Sequence, residues 1–200
     1  MIAFGTVAGG AGAALTGGNF WQGAVTGLIV SGLNHAMHGG FAKKDSEVAI
    51  MEDTEGAGGK GHMAVGGGND KKGWKYVSKY AKTDANGDPD GGLVSGGKSS
   101  AVLNDYATRS DMMSANPEYD KVIRLKTTYR TAMRVINGTY KAALEDYHFM
   151  MSNCAQAVGA GLNAAGIFSG SSMVPNTRYL EISKHYYPGF NPSSGAIGSW

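Results

Sequence analysis

Trp74-Lys75-Tyr76-Val77-Ser78 alternates its side chains with period 2, as a strand between two different environments does. Parity sets Trp74, Tyr76 and Ser78 on one face. Upstream, His62 to Gly66 reads as another short strand and Glu47 to Met51 as a third, with Gly66-Gly67-Gly68-Asn69-Asp70 as the turn that makes a hairpin of the two later strands. Downstream, residues 84–100 are rich in turn formers, Val102 to Ser110 reads as a short helix, and Asn116-Pro117 breaks the chain. Lys121 to Lys126 alternates apolar and basic residues, the pattern of an edge or half-buried strand. Thr127 or Thr128 can cap a helix that carries Tyr129, Met133, Ile136, Tyr140 and Leu144 along one face. Gly138 weakens that helix by about 1 kcal/mol relative to Ala. A second helix is expected from Asn153 to Ala165, with Ala155, Val158, Leu162 and Ala165 toward the core and Gly166 closing it, and a last short helix follows Pro175-Asn176. Strands and helices in this unequal order give an α+β fold, a small antiparallel sheet packed against helices.

The 200 residues suffice for one domain with an appendage. A formal net charge of +2, with 17% of residues charged, supplies no bulk field for nucleic acid or anionic lipid, so specificity must reside in a local site. Charge also divides the chain, because residues 1–42 contain no Lys, Arg, Asp or Glu and hold 11 of the 32 glycines. We read 1–42 as an uncharged Gly/Ala-rich connector, 43–200 as the globular domain and 188–200 as a loose tail. Met1 to Gly5 offers no basic region of a secretory signal, and the longest apolar run, Gly23 to Leu33, is about half a membrane span. Gly5/Gly9 and Gly23/Gly27 nonetheless have the small-xxx-small spacing of close helix approach, so a membrane-inserting role for 1–42 is the competing reading.

Several motif matches fail on context. Gly92 to Ser99 fits the phosphate-binding G-x-x-x-x-G-K-S/T pattern, but Asp84 to Asp90 stands where the preceding buried strand must be. Asp84, Asn86, Asp88 and Asp90 alternate as calcium-loop ligands do, yet Pro89 replaces the turn glycine and Ser95 the bidentate Glu. His35, His38, His62, His148 and His185 form no zinc set with a single cysteine, so no metal or other cofactor is expected.

The lone cysteine, Cys154, excludes any disulfide within the chain and is either packing or chemistry. Met150-Met151-Ser152-Asn153-Cys154-Ala155-Gln156 places the thiol in the first turn of the expected helix, where free N–H groups and the helix dipole favour a thiolate and can hold an oxyanion. Acyl transfer then needs an imidazole. His62, opening its strand after Gly61, is the first choice and His148 the rival.

Gly61-His62-Met63-Ala64-Val65, Gly73 to Ser78, and Ser152 to Val158 with Gly166 and Pro175-Asn176 resemble circularly permuted NlpC-type papain-like enzymes, in which the histidine strand precedes the nucleophile helix. Gly18 to His38 is similar to the segment that joins the shell of Rhs-repeat proteins to their C-terminal toxin module. The resemblance implies a permuted papain-like α+β domain with Cys154 as nucleophile and His62 as general base and acid. It implies a third polar residue on the strand after the histidine: Ser78, with Tyr76 second, since that strand lacks the commoner Asp, Glu, Asn or His. Asn153 and the Cys154 amide are the oxyanion candidates. The expected function is a secreted antibacterial or anti-cell effector acting as a cysteine amidase or peptidase through an acyl-enzyme. Peptide, peptidoglycan or, in the lipid acyltransferase or phospholipase alternative, lipid would be the substrate, and a cognate immunity protein and the Rhs shell the partners. No signal peptide is read, so a dedicated secretion system would deliver it to a target cell. A nuclease is disfavoured for want of a basic patch.

Overall fold

Ser46-Glu-Val-Ala-Ile-Met-Glu-Asp53 sends Val48 and Ile50 to one side and Ala49 and Met51 to the other, and all four are fully buried, so the strand lies inside a two-sided core. The computed structural model describes residues 11, 13–17, 19–22, 24–26, 43–86, 88–91 and 97–188. The chain divides into two units, Met1–Lys43 and Lys44–Trp200. In the first, residues 13–15, 20–22 and 24–26 are helical, and Phe20 and Trp21 meet edge to face with ring centroids 5.4 Å apart. No helix among the described residues is long and apolar enough to cross a membrane. Residues 27–42, with His35 and His38, lie outside the described residues, as do Gly5, Gly9 and Gly23.

The second unit is α+β. Five antiparallel strands, β1 (Ser46–Asp53), β2 (His62–Asn69), β3 (Gly73–Ala81), β4 (Ser99–Tyr106) and β5 (Lys121–Thr127), form one sheet in the order β4-β3-β2-β1-β5. On one face Val48, Ile50, Met63, Val65 and Val77 bury against α2 (Tyr129–Ala143), α3 (Cys154–Ala164) and α4 (Pro175–Tyr186). On the other, Ala49, Met51, Ala64, Trp74 and Tyr76 lie beneath Tyr119 and Met112 of the short α1 (Arg109–Ser114).

Three local expectations are corrected. Gly66, Gly67 and Gly68 belong to β2 and not to the hairpin turn, which falls at Asp70–Lys72. A Cβ at Gly66 would lie 2.5 Å from the Met112 sulfur, and one at Gly67 3.0 Å from Ile136 Cγ1, so α1 and α2 press on this strand from opposite faces. Residues 99–106, read as part loop and part helix, form β4, paired with β3 from Trp74↔Tyr106 to Ala81↔Ser99 and largely solvent-facing at the sheet edge. Helix α2, capped by Thr128 accepting from the Thr131 amide, buries Ala132, Val135, Ile136, Thr139 and Ala143. Leu144 is 60% exposed, because the small Ala and Thr side chains admit α3 closely. Gly138 and Gly161 mark that contact, a Cβ at Gly138 falling 3.0 Å from the Gly161 Cα. Of the tail, residues 189–200 lie outside the described residues.

Candidate functional site

Asn153 starts α3 with a capping box. Its Oδ1 accepts from the Ala155 and Gln156 amides at 2.8 and 3.2 Å, and Gln156 Oε1 accepts from the Asn153 amide. Its side-chain nitrogen donates to Phe149 O at 2.6 Å and Met173 O at 2.9 Å, which joins the loop before α3 to the loop before α4. Both amide hydrogens are engaged, so Asn153 stands as a scaffold of the helix start rather than a free oxyanion donor. Cys154 follows as the first helical residue, only 3% exposed. Burial pushes its thiol up to about 11, against the opposite pull of the Met63, Ala155 and Cys154 amides and the charge of Lys79.

His62 opens β2 after Gly61, whose φ of +87° and close approach to the Asn176 side chain admit no Cβ. The His62 Nε2 and Ser78 Oγ are 2.7 Å apart, and the imidazole stacks on Tyr80 with centroids 4.4 Å apart. Burial pushes His62 down to about 4, against the charge of Asp53, its partner in the β1 register. Tyr76 shares this face, but its hydroxyl pairs with Tyr119 at 2.7 Å and not with the imidazole. The Nδ1 of His62 has no hydrogen-bond partner among the described residues.

The structure brings Cys154 and His62 to one peptide from opposite sides. Strand parity places His62 with Ala64 toward α1, while Met63 points to the face covered by α3. No hydrogen bond joins the thiol to the imidazole among the described residues. The β2–β3 ladder begins at Ala64↔Ser78, so the first two residues of β2 extend beyond it, and the amide of Met63 lies against the thiol. His148 takes no part: its Nδ1 accepts from the Met150 and Met151 amides at 3.2 Å within a tight turn.

Lys79, absent from the sequence reading, lies on the same face of the sheet as the thiol and is 1% exposed. A lysine beside Ser78 in an alternating strand reads as solvent-facing, and only the three-dimensional packing of α2 covers it. Of the motifs set aside, Gly97 pairs with Tyr147 and β4 follows Lys98, so a strand stands where a phosphate loop needs a helix, and Gly92 to Gly96 lie outside the described residues. Asp84 Oδ1 accepts from the Asn86 and Asp88 amides as an ordinary turn. No family model, curated protein or solved structure matches this chain.

Proposed function

We propose that residues 43–200 form a permuted papain-like, NlpC-type cysteine hydrolase, an amidase or peptidase serving as an effector toxin. The observation that carries this reading is the meeting of a capped helix N-terminus bearing Cys154 with the peptide that follows His62, an imidazole held through Nε2 by Ser78 at 2.7 Å. That bond leaves Nδ1 for proton transfer. The S–H bond breaks, the proton goes to the imidazole, and the sulfur attacks an amide carbonyl carbon. The Cys154 amide, the first-turn donor that the Asn153 cap does not occupy, receives the oxyanion; the imidazolium then protonates the leaving amine and water cleaves the thioester. Burial holds the thiol high and the imidazole low, so the proton moves only when substrate has brought the two groups within reach.

The same chemistry on an ester would make a lipid acyltransferase or phospholipase. In this reading 1–42 tethers the domain to an Rhs shell, a dedicated secretion system delivers it, and a cognate immunity protein covers the site in the producing cell. Expression of the parent and of Cys154→Ala in a susceptible cell tests the hydrolase: the variant should be harmless, and parent-level toxicity from it sinks the proposal. Removal of residues 1–42 should leave toxicity of the expressed domain intact, whereas loss with retained folding favours membrane insertion by that segment.

A further inference from the structure

The Lys79 Nζ donates to Ala142 O at 3.1 Å, Glu145 O at 2.8 Å, Asp146 O at 3.3 Å and Ser152 Oγ at 2.7 Å. Three of these acceptors are carbonyls at and just beyond the C-terminal end of α2, where the last helical carbonyls lack partners and the helix dipole is negative. The fourth belongs to the residue two places before Cys154. A buried ammonium has three hydrogens to give, and this arrangement engages all of them. We propose that Lys79 is the positioning residue of Cys154: it ties the segment leading into α3 to the end of α2 and holds a fixed positive charge beside the sulfur for the moment the thiolate forms.

This inference rests on Cys154 being the nucleophile, but it concerns a different residue and has its own readout. A thiolate formed in a site 3% exposed has little water to stabilise it, so its charge must be met by the protein. The α3 amides supply dipoles and Lys79 supplies a charge: burial pushes the Lys79 ammonium down, Glu145, Asp146 and the Cys154 thiolate oppose that, and Lys79 in turn favours the thiolate. The competing account is a plain clamp that satisfies three carbonyls and does nothing for the sulfur.

The two accounts predict opposite signs in one measurement, the rate of iodoacetamide alkylation at pH 8, which is unambiguous because the chain has 1 cysteine. Loss of a clamp loosens the loop and exposes the buried thiol, which speeds alkylation. Loss of the positioned charge disfavours the thiolate, which slows it. Lys79→Gln, which keeps donors for the carbonyls but no charge, should react about tenfold more slowly, the effect of one pKa unit. Lys79→Arg should recover most of the rate. An unchanged or faster rate in Lys79→Gln overturns the proposal. Should that variant not fold, Ser152→Ala carries the test, since it frees the ammonium from the segment leading to Cys154; a several-fold slowing is expected, and an unchanged or faster rate is again fatal. These rates read the sulfur itself, so a toxic Cys154→Ala protein would refute the hydrolase without altering the outcome here.

Discussion

Asn153 holds four backbone groups at once, two amides of α3 and the carbonyls of Phe149 and Met173. Asn153→Ala should therefore cost more than an ordinary cap, about 2 kcal/mol, measurable by urea unfolding. It should also cut activity more than stability, because the start of α3 carries the thiol. Ser78→Ala removes the one side-chain hydrogen bond of a buried imidazole. We expect hydrolysis to slow by about tenfold or more with a stability loss of about 1–3 kcal/mol, read from initial rates and a thermal melt. Period-2 parity set Ser78 on one face with Trp74 and Tyr76, and the resemblance singled it out as the partner of His62, two residues along β2 from its own register partner Ala64. Lys79, its neighbour, was not legible, because its burial depends on where α2 ends. Nor could parity foresee that His62 points away from the face that carries Cys154, since sequence does not say on which side of a sheet a later helix will pack.

The expected strands emerged from local apolar patterning and the last two helices from such patterning together with the end signals Gly166 and Pro175-Asn176, whereas β4 did not emerge. Its residues Ser99 to Tyr106 follow a glycine-rich loop and show most of their side chains to solvent, so the burial pattern that marks a strand is faint and only pairing with β3 defines it. The glycines of β2 were misplaced for a related reason: Gly-Gly-Gly is the strongest turn signal, but here it thins a strand gripped from both faces. Gly66→Ala should destabilise the domain by about 1–3 kcal/mol through collision with Met112. A combined Gly66→Ala/Met112→Ala protein should regain part of that loss, a coupling that a double-mutant cycle detects. Likewise Gly138 looks like a helix defect in sequence and is a packing requirement in structure. At the same crossing, Gly161→Ala should lose about 2 kcal/mol despite the better helix propensity of Ala, because its Cβ would strike Thr139 Oγ1 and lie 2.5 Å from Val135 O.

Over the whole domain, three buried ionisable groups shape the response to pH. His62 falls from an ordinary 6.5 to about 4, so its contribution to stability is lost as pH drops from 6.5 through 4. Glu47 gives up solvation, but hydrogen bonds and charge from Arg124 and Lys126 take it from 4.5 down to about 2, and that support is lost as pH falls through the same range. Glu52 behaves oppositely. Burial lifts it from 4.5 to about 7 despite Lys121 at 3.5 Å, and its Oε1 has no partner among the described residues, so its share of stability fades as pH rises from 4.5 through 7. Glu52→Gln should match the parent near pH 4 and exceed it at pH 8 by on the order of 2 kcal/mol in urea unfolding, and equal gains at both pH values would refute the assignment. The composition, with its balanced charge, gave no hint of these groups, because their shifts come from where the sheet and helices enclose them. The sulfur and its imidazole stand on opposite faces of β2, so a partner need not reach the sulfur to silence it. Covering Tyr80, which is 36% exposed and stacked on the His62 ring, would lock the imidazole in place and leave the nucleophile intact but stranded behind the sheet.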